Sequence, residues 1–271
     1  MVSKSRVGLA AVMGGLFLAA CQSAERRESL VYVERPVEAL FSQAASELDD
    51  RDYADSILYF NEVERQHPYS EWARRATLMT AFAHYRAREY DDAVAVAQRY
   101  ISLHPGTDGA AYAYYLVGVS YFEQIVDVGR DQNTTELTQA AFTEVVRRFP
   151  DSEYAKDAAL KLDMVRDQLA GKDMEIGRWY LRRNEHLAAV NRFKNVIDQY
   201  DGTSHVPEAL HRLVEAYLSI GLRGEAQAVG ATLGYNFPNS EWYEKSYDLL
   251  TGRGLSTDVD APREGWLSRL F

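Results

Sequence analysis

His67-Pro68-Tyr69-Ser70-Glu71-Trp72-Ala73 decides how this chain is read. The phrase returns as His104-Pro105-Gly106-Thr107-Asp108-Gly109-Ala110 and as Phe149-Pro150-Asp151-Ser152-Glu153-Tyr154-Ala155. It loses its proline in Tyr200-Asp201-Gly202-Thr203-Ser204 and regains it in Phe237-Pro238-Asn239-Ser240-Glu241-Trp242. Proline cannot continue a helix and biases the residue before it away from helical angles. Ser or Thr two residues on can cap the next helix by accepting a backbone N–H. Each copy is therefore a helix stop followed by a helix start. From residue 68 to 105, 150, 201 and 238 the intervals are 37, 45, 51 and 37 residues. The shortest lie close to the ~34-residue tetratricopeptide period, so the two longer intervals carry insertions.

Counting back from each turn exposes the second helix of each unit. Twelve residues before it stand Ser56, Ala93, Thr138, Ala189 and Ala226; eight before, Phe60, Ala97, Phe142, Phe193 and Gly230; five before, Val63, Tyr100, Val145, Val196 and Leu233. Steps of three and four put these on one helical stripe, with the small residue where a neighbouring helix comes close. The stripe reads as core. The expected fold is all-α: a tetratricopeptide-like helical-hairpin solenoid of about five repeats with a C-terminal capping helix.

The ends differ from the middle. Lys4 and Arg6 precede an apolar run from Val7 to Leu18 that is too short to span a bilayer, and Leu18-Ala19-Ala20-Cys21 follows. This layout resembles a bacterial lipobox, which implies cleavage before Cys21 and a lipid on its thiol. Acyl chains contribute on the order of 0.8 kcal/mol per buried methylene, so several of them hold a protein on a membrane. Cys21 is the sole cysteine, so a disulfide framework is excluded. Gln22 and Ser23 resemble the sorting cue of lipoproteins sent to the outer membrane. Loss of residues 1–20 removes Lys4 and Arg6 and takes the net charge from −10 to −12, which argues against nucleic-acid partners. The expected layout is a signal peptide over 1–20, a lipidated tether over 21–35, and an array over 36–251. The array divides into sub-arrays of about 36–150 and 151–251, and 252–271 is a polar tail containing Trp266, Leu267, Leu270 and Phe271.

The third unit carries a polar insertion, Asp127 to Thr134, before its second helix. The fourth opens with a long segment from Glu153 to about Arg183, which Gly171 and Gly177 are expected to nick. The fifth runs from Pro207 to Asn236 with Gly221 and Gly224 at its turn, and Glu241 to Thr251 is the cap.

The order of these motifs resembles the BamD-like outer-membrane assembly lipoproteins. The matching stretches are the lipobox, the Gly118-to-Tyr121 helix leading to Arg130-Asp131-Gln132-Asn133, Phe149 to Ala155, Leu169-Ala170, Ala189-Val190-Asn191-Arg192, Pro207 to Leu210, and Asn236 to Tyr243. The resemblance implies a periplasm-facing scaffold of the machine that inserts β-barrel proteins into the outer membrane. Its partners would be the machine's barrel subunit, other assembly lipoproteins and unfolded barrel clients. By the same resemblance, Arg192, beside Asn191, pairs with an acidic residue of the barrel subunit, and the N-terminal repeats receive the client's last strand.

Repeat geometry makes a separate case for the client surface. With Ala81 and Gly118 as close-contact positions, the first helices would present Phe41, then Arg75, Phe82, Tyr85 and Arg86, then Tyr112, Tyr115 and Phe122. Aromatic and Arg side chains suit an extended apolar peptide ending in a carboxylate.

Catalysis is not expected. The six histidines form no His-x-x-x-His pair, a lipidated Cys21 cannot be a nucleophile, and no Gly-x-Ser-x-Gly or phosphate-cradling loop occurs. No cofactor and no metal are expected. A different class of function, an anchored repeat protein organising cell-wall synthesis or envelope constriction, shares the array and the lipid.

Overall fold

The computed structural model describes residues 33–127 and 129–256. Cys21, the leader, most of the tether and the tail aromatics from Trp266 to Phe271 lie outside the described residues. Eleven helices and no strand occur among the described residues: α1 (Val37–Asp49), α2 (Tyr53–Gln66), α3 (Glu71–Arg86), α4 (Tyr90–Leu103), α5 (Ala110–Phe122), α6 (Asn133–Arg148), α7 (Glu153–Arg182), α8 (His186–Gln199), α9 (Val206–Ser219), α10 (Arg223–Asn236) and α11 (Glu241–Thr251). They make five hairpins and a cap, an all-α tetratricopeptide-like array. Two compact units divide the chain between residues 76 and 77, inside α3.

The repeated phrase has one backbone solution. His67, His104, Phe149, Tyr200 and Phe237 each end a helix with φ between −130° and −135° and ψ between 40° and 55°. Each donates its N–H to the residue four back: Val63, Tyr100, Val145, Val196 or Leu233. The hydroxyl of the phrase then works in two ways. Ser70 and Ser152 donate to the carbonyl of the ending residue at 2.8 Å and accept from the N–H of Ala73 and Ala155 at 3.0 and 3.1 Å. Thr107 and Thr203 donate to that carbonyl, at 3.0 and 2.8 Å, and accept from no helix N–H; Thr107 Oγ1 also meets the Tyr100 hydroxyl at 3.0 Å. In those two copies α5 and α9 start later, at Ala110 and Val206, with no side-chain cap. Capping by the hydroxyl therefore belongs to the Ser copies, not to every copy.

The core stripe is where the spacing puts it. Ser56, Phe60, Val63, Ala93, Ala97, Thr138, Phe142, Val145, Ala189, Phe193, Val196, Ala226 and Leu233 are fully buried. In the second unit α5 also touches α7, α7 touches α9 and α9 touches α11, as stacked hairpins must. Helix α7 is continuous over 30 residues, so the expected nick at Gly171 and Gly177 is absent. Packing explains the glycine at 177: a Cβ there would lie 2.4 Å from Cε1 of Phe193, so glycine admits the ring of the partner helix. Gly118 does the same for Phe142, at 2.5 Å.

Candidate functional site

Two surfaces carry the residues that the sequence singled out. The first lies in the second unit around α5. Phe82, Tyr85, Tyr112, Tyr115 and Phe122 are half-buried against the core that includes Ala81, Leu116 and Phe142. Tyr112 and Tyr115 pack on Tyr154 with ring centroids 5.2 and 5.5 Å apart, and Phe82 lies 6.4 Å from Tyr112. The guanidinium of Arg86 sits 5.6 Å from the Phe82 ring, and the Lys161 ammonium 5.9 Å from that of Phe122. Six of the eight expected client-binding residues thus share one region. Phe41 and Arg75 belong to the first unit, where both meet Trp72: the Phe41 and Trp72 centroids are 4.9 Å apart and Arg75 lies 5.6 Å from the Trp72 ring.

Polar groups hold the aromatic region in place. The Tyr115 hydroxyl donates to Asp157 Oδ2, which also accepts from Lys161 Nζ at 2.6 Å. Burial alone would raise the Asp157 carboxyl; the bonds from Lys161 and Tyr115 outweigh it and leave the group below its ordinary range. Burial drives the Tyr112 phenol up, and burial plus the Asp157 bond does so for Tyr115, so both phenols stay neutral. Tyr85 reaches Glu123 Oε1 at 3.4 Å. Tyr154, Asp157 and Lys161 were not singled out from the sequence. Tyr154 did carry a signal: with Trp72 and Trp242 it fills the place after Ser-Glu in the repeated phrase, and Trp72 and Tyr154 each land on an aromatic of the preceding first helix. Asp157 and Lys161 carried none, because their partners come from another helix.

The second surface is on α8. Asn191 and Arg192 face an open depression that Tyr180, Ala188 and Asn195 also line. Arg192 Nη1 donates to Asp173 Oδ1 at 3.0 Å, and Asn195 Nδ2 donates to Asp173 Oδ2 at 2.5 Å. The Asp173 side chain is 11% exposed and that of Arg192 44%. A buried carboxylate therefore holds one arm of the fork while the rest of the side chain faces solvent. The family resemblance singled out Arg192; its partner, 19 residues earlier on α7, was not legible.

The insertion in the third unit is ordered by side-chain amides. Gln132 Nε2 donates to the Arg130 carbonyl at 3.0 Å, its Oε1 accepts from Thr135 at 3.0 Å, and Gln168 of α7 reaches the Val126 carbonyl at 3.0 Å. No metal was expected from the sequence. His84, Glu89 and Asp92 nevertheless bring one potential ligand atom each within 4.8 Å of one another, and the pair His84 Nδ1 to Glu89 Oε2, at 2.8 Å, ties the end of α3 to the start of α4. Among the described residues no helix is long and apolar enough to cross a membrane.

Residues 33–233, which hold both surfaces, match the outer membrane lipoprotein family YfiO. An outer membrane protein assembly factor BamD of Caulobacter vibrioides is 54% identical over 96% of this chain and 85% of its own. The chain belongs to the YfiO/BamD family. Proteins of the same description from Rickettsia prowazekii and Neisseria meningitidis serogroup A are 42% and 33% identical, over 87% and 83% of this chain and 93% and 89% of theirs. In this BamD-family chain the family match over residues 33–233 takes in the first four repeated turns, both surfaces and the insertion of the third unit.

Proposed function

We propose that this chain is a lipoprotein scaffold for outer-membrane β-barrel assembly, held on the periplasmic face by lipid on Cys21. The observation that carries the reading is family membership, through a match over residues 33–233 that contains both surfaces. On this reading Arg192 and Asn191 dock the barrel subunit. Asp173 occupies one Nη1 donor, and the exposed remainder of the guanidinium suits a carboxylate brought by a partner, because a planar fork can bond two oxygens at once. The aromatic region of Phe82, Tyr85, Arg86, Tyr112, Tyr115 and Phe122 takes the apolar end of an unfolded client, and Phe41 and Arg75 extend that role to the first unit. The work is binding, not bond-making, and needs no cofactor.

The test is recovery of partners with the tagged protein from mild detergent. Wild type should bring down a β-barrel subunit. Arg192→Glu should lose most of it while far-UV circular dichroism stays unchanged. Unchanged recovery defeats the assignment of Arg192, and recovery of cell-wall enzymes in place of a barrel subunit defeats the reading as a whole.

A further inference from the structure

The chain does not simply enter α1. Before it, Val33 to Arg35 lies against the far end of α2 and is gripped there by side chains. Gln66 makes both bonds of a strand partner: its Nε2 donates to the Val33 carbonyl at 2.9 Å and its Oε1 accepts from the Arg35 N–H at 3.0 Å. His67 Nε2 meets the Arg35 carbonyl at 3.0 Å. Gln66 is itself positioned by Glu62, a buried carboxylate that also takes Arg65 Nε and Nη2 at 2.7 and 2.6 Å. Burial opposes the charge on Glu62, and the bonds from Arg65 and Gln66 outweigh it, so the anchor of this grip is a charged group.

That grip determines where a lipid anchor pulls. Eleven residues, 22–32, separate Cys21 from the clamped segment. At about 3.5 Å each they reach at most ~38 Å, whatever their conformation. The opposite end of the first hairpin lies a further ~20 Å off, the length of 14-residue α2. The two ends also differ in charge. Around the clamp, residues 33–38 and 62–75 hold Arg35, Arg65, Arg74 and Arg75 against Glu34, Glu38, Glu62, Glu64 and Glu71, a net of −1. The α1–α2 turn over 47–55 holds Glu47, Asp49, Asp50, Asp52 and Asp55 against Arg51, a net of −4. An anionic bilayer repels the second end and tolerates the first. Between α2 and α3 stands Tyr69, 102% exposed, an aromatic with no cover from its own unit. Tyrosine is enriched where a ring can lie among lipid headgroups.

We propose that the α2–α3 turn is the pole of the first hairpin that rests on the phospholipid surface, with Tyr69 in the headgroup layer and Gln66 and His67 clamping Val33 to Arg35, the end of the lipidated tether, beside it. The inference rests on the lipidation of Cys21. Because acylation blocks the native thiol, single cysteines introduced as Tyr69→Cys and Asp50→Cys can each carry a fluorophore on the full mature chain. The chain is bound to phosphatidylethanolamine–phosphatidylglycerol vesicles containing a headgroup nitroxide quencher. The label at 69 should lose most of its emission and the label at 50 little. Adding Gln66→Ala should erase that contrast. Equal quenching at the two positions, or stronger quenching at 50, overturns the membrane-facing pole; contrast that survives Gln66→Ala overturns the clamp. Failure of the wild-type chain to float with vesicles overturns the lipid anchor itself, and with it this inference, while leaving the partner surfaces to their own test.

Discussion

At the scale of single residues, the array depends on where it lacks atoms. Gly118 and Gly177 sit on first helices, where glycine ordinarily costs about 1 kcal/mol relative to alanine. Here the missing Cβ is space for Phe142 and Phe193, both fully buried. A Cβ at 118 would stand 2.5 Å from Cε1 and 2.6 Å from Cδ1 of Phe142, a ring with nowhere to move. Overpacking of this kind costs about 1–3 kcal/mol and exceeds the helix-propensity gain. Gly118→Ala should therefore lower the urea midpoint. Gly106→Ala, where nothing lies within 4 Å of the added atom, should leave it unchanged. A midpoint raised by Gly118→Ala would contradict the packing account.

Between elements, charge networks join the last repeat to its cap. Trp242 of α11 lies between Arg212 and Lys245, at 5.4 and 4.0 Å, and packs on the His211 ring at 5.4 Å. His211 Nδ1 meets Ser246 Oγ at 2.8 Å, and Arg212 bonds Glu215 at 2.8 Å and Glu208 at 3.2 Å. Burial would raise the Glu215 carboxyl, but the bonds from His211 and Arg212 hold it at about 2, below its ordinary 4.5. The folded value is depressed, so the stability it contributes is present above about pH 4.5 and is lost as pH falls towards 2. With a third of the side chain exposed, solvent screening reduces that contribution to about 1–2 kcal/mol. Glu215→Gln should thus destabilise at pH 7 by about that amount, and the gap from wild type should narrow between pH 4.5 and 3 in urea titrations. A gap that stays constant with pH would show that the network acts through shape alone.

For the molecule as a whole, stacked repeats need an end that tolerates water. Helix α11 supplies it: Leu250 and Ser246 are fully buried, and Trp242, Tyr243 and Leu249 pack on the core formed by α7 to α10. The ring of Tyr243 comes so close to Gly234 that a Cβ there would lie 2.5 Å from it. A chain ending at Asn236 should expose this face, lower the urea midpoint and associate at micromolar concentration in light scattering. A monomer of unchanged midpoint would mean that α11 is not the cap.

Turn chemistry is local, which is why so much of this protein could be read from its letters. A proline, a hydroxyl and an apolar step of three and four determined by themselves the helix ends at His67, His104, Phe149, Tyr200 and Phe237, the second-helix core from Ser56 to Leu233, and the insertion before α6. Contacts between residues distant along the chain were decided only by tertiary structure. Asp173 meets Arg192, Tyr115 meets Asp157 across 42 residues, and Gln66 grips Val33 across 33. The unbroken course of α7 belongs with these. Helix propensity predicted a break at its glycines, but at Gly177 the buried ring of Phe193 fills the space a Cβ would take, and packing of that kind outweighs a propensity of about 1 kcal/mol.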